Sequence, residues 1–214
     1  MARGFPLFWS AVLAFPFEYA GVRLLLDATR GDQPVELGLA FLAFGLFVLL
    51  VGLYVQTVSP EAPRLREDEH IVDTRIPTQR VARARFAISA PFFLVTAYLY
   101  FLTIEPYIYP LLTLAVALVF FSTGLVTYWT NTLTTYYVTD RRVISDYRFL
   151  ALSRKELPLA QIRGIEERRS PLETLARVGN VRVAAGGGGR TLEIVVRNVD
   201  GATEFAESIR RLTE

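Results

Sequence analysis

Four long apolar stretches, residues 5–26, 35–57, 86–104 and 107–130, fill most of the first 130 positions of this 214-residue chain. Each is close to the roughly 20 apolar residues that a helix needs to cross a bilayer core. In that solvent no water bonds to the backbone, so a crossing segment must satisfy its own N–H and C=O groups as a helix. The last 84 or so residues are polar and change period to that of strands. The expected fold class is therefore an α-helical membrane part with four spans, followed by a mainly-β C-terminal module.

The first stretch begins almost at once after Arg3, contains Glu18 and is followed by no clear small-residue cleavage site. It reads as a retained span rather than a signal peptide. Pro6 and Pro16 within it are tolerable where neighbouring helices satisfy the freed carbonyls. In the second stretch Gly38, Gly45 and Gly52 recur every seven residues, which places them near one helix face where a second backbone can approach closely. The fourth stretch ends in Tyr128-Trp129, an aromatic pair suited to the headgroup level.

Arginine placement sets the expected orientation. The loop at 59–85 carries Arg64, Arg66, Arg75, Arg80, Arg83 and Arg85, whereas the 27–33 turn carries Arg30 and the 103–107 turn carries no arginine. Positive charge is retained on the cytoplasmic side. The expectation is a multi-pass protein of the cell membrane with both termini and the 59–85 loop in the cytoplasm. The domain limits expected are a first hairpin at 1–58, a linker at 59–85, a second hairpin at 86–130 and the module at 131–214.

Composition excludes several chemistries. With no Cys there is no disulfide and no thiolate metal ligand, and the single His70 rules out a multi-His centre or a conventional Ser-His-Asp triad. A formal charge of +2 gives no reason to expect nucleic acid. Basic residues are almost all Arg, with Lys155 the single lysine. Arg presents a planar fork that suits phosphate and carboxylate. No paired carboxylates, activated nucleophile or metal cluster stands out, so no enzymatic activity and no cofactor are expected.

The module reads as a hairpin at about 132–139 and 142–149 turning at Asp140-Arg141, with further strands at 152–157 and 162–168. Ser170-Pro171-Leu172-Glu173 is a capping-box helix start, and Gly179-Asn180 is expected to end that helix. Strands resume at Val181–Val183 and Leu192–Val196 across Gly186–Gly189. Asp200 is expected to cap a last helix with Phe205, Ile209 and Leu212 along one stripe. Such an order suits a small, partly open barrel closed at one end by the last helix.

Few residues invite a site. Gly186-Gly187-Gly188-Gly189-Arg190-Thr191 lacks the lysine and following helix of a phosphate loop, and reads as a hairpin connection. Glu18 lies inside a span, and Arg23 is its candidate intramembrane partner, while Glu36 and Glu105 sit at span ends. His70, in Glu67-Asp68-Glu69-His70, reads as part of a solvated loop. The tail arginines form the larger set. Arg141, Arg142, Arg163, Arg168 and Arg169 are the candidate headgroup or partner contacts, with Arg141 and Arg142 at the hairpin tip placed best to reach a surface.

Three motifs then occur in order: Tyr137-Val138-Thr139-Asp140-Arg141-Arg142-Val143-Ile144, Glu156-Leu157-Pro158-Leu159-Ala160-Gln161-Ile162, and Ser170-Pro171-Leu172-Glu173 leading to Val178-Gly179-Asn180-Val181-Arg182-Val183. Together they resemble the bacterial pleckstrin-homology (PH) domain family of the YdbS/YdbT type, in which the domain follows a transmembrane hairpin. Glu67-Asp68-Glu69-His70-Ile71-Val72 resembles the acidic-hydrophobic lead-in of that family, so the resemblance spans about 65–214. It implies a PH-like, partly open barrel capped by a C-terminal helix, and carries over no catalytic residues. The basic loop with which eukaryotic relatives hold inositol phosphates is not evident in the short Asp140-Arg141-Arg142 turn.

The expected function is that of a non-enzymatic membrane protein. It would sit in the lipid bilayer, present a cytoplasmic PH-like module, and bind headgroups, a protein partner or a second copy of itself. The alternative is a small transporter or export accessory whose four spans do the work, with Glu18 and Arg23 in its path.

Overall fold

The structure, a computed structural model, describes residues 5–28, 35–58, 63, 65–104, 106–149, 151–185 and 192–213. Glu105 and the Gly186–Thr191 connection lie outside the described residues. The chain divides into two compact units, residues 1–61 and 62–214.

The first unit is a helical hairpin of α1 (Pro6–Ala28) and α2 (Val35–Thr57). The heptad glycines do what their spacing predicts. A Cβ on Gly38 would fall 2.8 Å from Leu25, one on Gly45 2.6 Å from Glu18 Oε1, and one on Gly52 2.3 Å from Ser10. The partners descend along α1 as the glycines ascend along α2, so the helices run antiparallel with their backbones in close approach. Phe17 packs against Phe41 and Phe44, with centroids 6.0 and 4.7 Å away. The opposite faces expose Phe8, Phe15, Leu46 and Leu50, an apolar surface that suits lipid.

The second unit starts with β1 (Ile71–Arg75) and the helices α3 (Arg80–Leu102) and α4 (Ile108–Thr132). The α3–α4 pair is built on Phe86 against Phe121 and Gly124, and on a 2.9 Å hydrogen bond between Thr96 and Thr113. α3 begins six residues before its apolar run, because Arg80–Arg85 continue the helix out of the apolar zone. All four helices are long and apolar enough to cross a membrane.

α4 runs almost directly into β2 (Thr134–Thr139), with Leu133 alone between them. β3 (Arg142–Phe149) and β4 (Ala151–Pro158) follow, and the first sheet has the antiparallel order β1-β2-β3-β4. A short 3-10 turn, Leu159–Gln161, leads to β5 (Ile162–Arg168), the brief helix α5 (Pro171–Leu175), β6 (Gly179–Ala185) and β7 (Leu192–Val199). The second sheet has the order β5-β6-β7. The two sheets do not close into a ring, which is the partly open arrangement expected. Their inner faces share one core: Tyr136, Val138, Val143 and Leu157 meet Val181, Val183, Ile194 and Val196. The final helix α6 (Ala202–Thr213) inserts Phe205, Ala206 and Ile209 into that core, and Leu212 packs beside it.

Three details differ from expectation. Residues 71–75, within the 59–85 segment expected to be a linker, form an edge strand on β2, with Thr74 opposite Tyr137. The turn of α5 is made not by Gly179 but by Arg177, which takes φ +54°, while Val178 N–H returns to Glu173 C=O at 2.9 Å. Gly179 instead opens β6, where a Cβ would meet Ala202 at 2.7 Å. Asp200 does not cap α6. Gly201, at φ +63°, precedes the helix and its C=O accepts Phe205 N–H at 2.9 Å, whereas the Asp200 carboxylate turns to Arg80. The capping box at Ser170 and Glu173 is present as expected.

Candidate functional site

A cleft of about 450 Å³ opens where the outer face of the second sheet meets the α3–α4 pair. Its membrane-side wall is made by Val81, Arg85, Val126 and Thr127, its sheet-side wall by Arg168, Arg182, Val195 and Arg197. Strand alternation explains the second wall. Core residues Val181, Val183, Ile194 and Val196 point inward, so Arg182, Val195 and Arg197 must point out. Register brings them together: Arg182 stands opposite Glu166 on β5 and Val195 on β7, and Arg168 opposite Asn180.

The charges in the cleft are unequally occupied. Arg85 donates to Thr123 C=O at 3.0 Å and to the Thr127 hydroxyl, which ties it to α4. Arg182 pairs with Glu193. The guanidinium groups of Arg168 and Arg197 have no ion pair or hydrogen bond among the described residues. On the acidic side, Glu173 is already committed, accepting Ser170 N–H and the Asn180 amide at 2.7 Å each. Burial pushes its carboxyl up, but those bonds outweigh burial and hold it below its ordinary value. Glu166 is the other carboxylate of the lining.

The depth of the cleft is fixed by a polar clamp. Asn131 near the end of α4 donates to Thr78 C=O at 2.8 Å and accepts from the Asn198 amide at 3.2 Å. Thr78 N–H donates to Asn198 C=O at 2.8 Å, and Gln79 donates to Tyr128 C=O and Thr132. Arg80 reaches Asp200 at 3.1 Å. The module therefore does not swing on a linker. It is bonded to the ends of α3 and α4 at the level of Tyr128 and Trp129.

A second polar cluster lies on the first sheet. Arg142 is buried, its side chain 10% exposed, and makes two 2.8 Å bonds to Glu69, whose side chain is fully buried. It also bonds Glu156. The Thr139 hydroxyl accepts Arg142 N–H at 3.0 Å and donates to Glu69 at 2.8 Å. The Arg142 bonds, against opposing burial, pull the Glu69 carboxyl from 4.5 down to about 2, and Glu69 in turn raises Arg142. Four residues along β3 from Arg142, buried Asp146 pairs with Arg154 at 2.8 Å, which raises Arg154 as well.

The expected site residues thus separate. Arg168 lines the cleft. Arg142 is not an exposed tip residue: its fork is filled by Glu69, so it holds the hairpin together. Arg141 is exposed at the tip beside Asp140, and Arg163 is exposed on β5 away from the cleft lining. Arg169 is held by Glu167 and Thr203. His70 has an exposed side chain 3.6 Å from Asp140, in keeping with a solvated loop. Glu18 packs on Gly45 while Arg23 is exposed, and the two form no ion pair. Five positions advance a helix by 500°, which separates their faces by about 140°. Sequence reading missed Arg85 and Arg197 as site residues, because the cleft gathers its arginines from segments far apart in the chain.

The family model described as "Bacterial PH domain" matches residues 88–213, from the ninth residue of α3 to the end of α6. No curated protein and no solved structure matches the chain.

Proposed function

This chain belongs to the bacterial PH domain family, and we propose that it is a non-enzymatic, multi-pass membrane protein whose PH-like module is a recognition platform at the cytoplasmic face of the cell membrane. The carrying observation is the clamp of Asn131, Thr78 and Asn198, which fixes the module to the ends of two helices able to span a bilayer. A module fixed in this way meets a ligand with one constant face and depth. That lowers the entropy lost on binding, which a domain on a flexible tether would have to repay. The polar clusters inside the module are consumed in holding its strands, and the cationic groups left exposed in the cleft serve binding.

A photo-crosslinking side chain at Val195, inside the cleft, tests the reading in intact cells. Val195 should give a discrete adduct, lipid or protein, that Leu152 on the exposed β4 does not give. Equal or absent labelling at the two positions would remove the cleft as the recognition face.

A further inference from the structure

We infer that the cleft binds the phosphate of an anionic lipid from the adjoining leaflet, with Arg168 and Arg197 as its principal ligands. The inference rests on the platform reading above and names the ligand. Three observations support it.

The first is depth. Val81, Arg85, Val126 and Thr127 line the cleft. They sit where the apolar run of α3 starts, at Phe86, and just before Tyr128 and Trp129 of α4. There α3 passes from Arg80, Arg83 and Arg85 to its apolar run, which places the opening at the edge of the apolar zone, the height of a phosphate in the neighbouring leaflet.

The second is charge. Arg168 and Arg197 hold unspent guanidinium forks in a concave site, and a planar fork donates two parallel bonds to a phosphate. The lining sets four arginines, Arg85, Arg168, Arg182 and Arg197, against two carboxylates, Glu166 and Glu173, and with Arg182 paired to Glu193 the cations still outnumber the anions by one. Val81, Val126 and Val195 supply apolar wall for the glycerol and first methylenes.

The third is the flank. α5, which supplies Glu173 to the cleft, holds Leu175 79% exposed. Arg80 of α3 reaches the C=O of Arg177 just beyond it at 3.4 Å. An exposed leucine at the point where α3 enters the membrane is suited to dip into the interface beside a bound headgroup.

The test uses the full chain in nanodiscs of phosphatidylcholine containing a minority of phosphatidylglycerol, with retained lipid read by native mass spectrometry. Wild type should retain phosphatidylglycerol above its bulk share. Each near-surface arginine contributes about fivefold, so Arg168→Gln with Arg197→Gln should lower retention about 25-fold. Arg141→Gln with Arg163→Gln removes the same charge outside the cleft and should leave retention within about twofold. Matching thermal melts establish that both variants fold. Equal loss in the two pairs, or no loss in the first, overturns the inference. A third arm offers glycerol phosphate in pure phosphatidylcholine discs: binding as tight as that of the lipid would make the ligand a soluble phosphate and overturn the lipid assignment. If Val195 still crosslinks to a protein while phosphatidylglycerol is not enriched, the platform stands and the lipid ligand falls.

Discussion

Glu69 and Arg142 lie 73 residues apart in sequence and meet through two parallel hydrogen bonds of 2.8 Å. One comes from the segment before β1, the other from the first residue of β3. With Thr139 bonded to both, they fasten the lead-in segment across the tip of the β2–β3 hairpin. Removing one partner from such a pair leaves a buried charge uncompensated, whereas replacing both by apolar groups is often neutral. Glu69→Gln should therefore cost about 3 kcal/mol, near the low end because Glu156 still faces Arg142. Glu69→Leu with Arg142→Met should recover most of that loss. Thermal or urea unfolding of the full chain in detergent reads both, and a double variant as unstable as Glu69→Gln would show that the pair is not coupled.

The same pair predicts a pH response. The folded Glu69 carboxyl titrates at about 2 and its ordinary value is 4.5. A depressed folded pKa means that the unfolded chain takes up the proton first as pH falls. The stability from Glu69 is thus fully present above about pH 4.5 and is lost progressively toward pH 2. The stability gap between wild type and Glu69→Gln should narrow across that window. A gap constant from pH 6 to pH 3 would remove Glu69 as the titrating group.

What the sequence disclosed followed periodicity and local chemistry. The four helices, the β2–β3 hairpin turning at Asp140-Arg141, the Ser170–Glu173 box and the Phe205–Ile209 stripe are each short-range patterns, and each is present. β1 escaped because Ile71, Val72 and Thr74 are exposed and no strand face is buried; backbone pairing with β2 holds it, and pairing leaves no mark in composition. Arg142 looked like a surface arginine because nothing local reveals that Glu69 folds over it. The cleft was illegible for the same reason, since α3, β5, β6 and β7 each contribute an arginine and only the fold unites them.

Gly52 and Ser10 set the spacing of the first hairpin. A Cβ on Gly52 would come within 2.3 Å of both Ser10 Cβ and Oγ, and Ser10 is fully buried. Gly52→Leu should destabilise that hairpin by about 2 kcal/mol through overpacking. Gly52→Ala alone should be harmful and should improve when combined with Ser10→Gly, which vacates the space. The cycle is read from the unfolding of the full chain in lipid-like detergent, and additive effects of the two changes would deny the contact.

The absence of cysteine makes the orientation directly measurable, since any introduced thiol is unique. Ser153→Cys on β4 and Thr203→Cys on α6 should react with a membrane-impermeant maleimide only after the cells are opened. Labelling of either in sealed cells would place the module outside and reverse the topology that the loop arginines imply.

Asn198 joins the module to the spans, and its backbone makes that possible. It takes φ +53° within β7, a region that Asn enters more readily than most residues. From there its N–H donates to Asn180 Oδ1 at 2.9 Å, its C=O accepts Thr78 N–H at 2.8 Å, and its side chain donates to Asn131 at 3.2 Å. Asn198→Gly keeps the backbone and loses the side-chain bond, a cost of about 1 kcal/mol. Asn198→Ala loses the same bond and puts in the left-handed region a residue that enters it less readily than Asn or Gly, about 1 kcal/mol more. In hydrogen exchange, amide protection at Thr78 should fall in the order wild type, Gly variant, Ala variant. If alanine protects Thr78 as well as glycine does, the left-handed backbone at 198 is not what holds the module to α4.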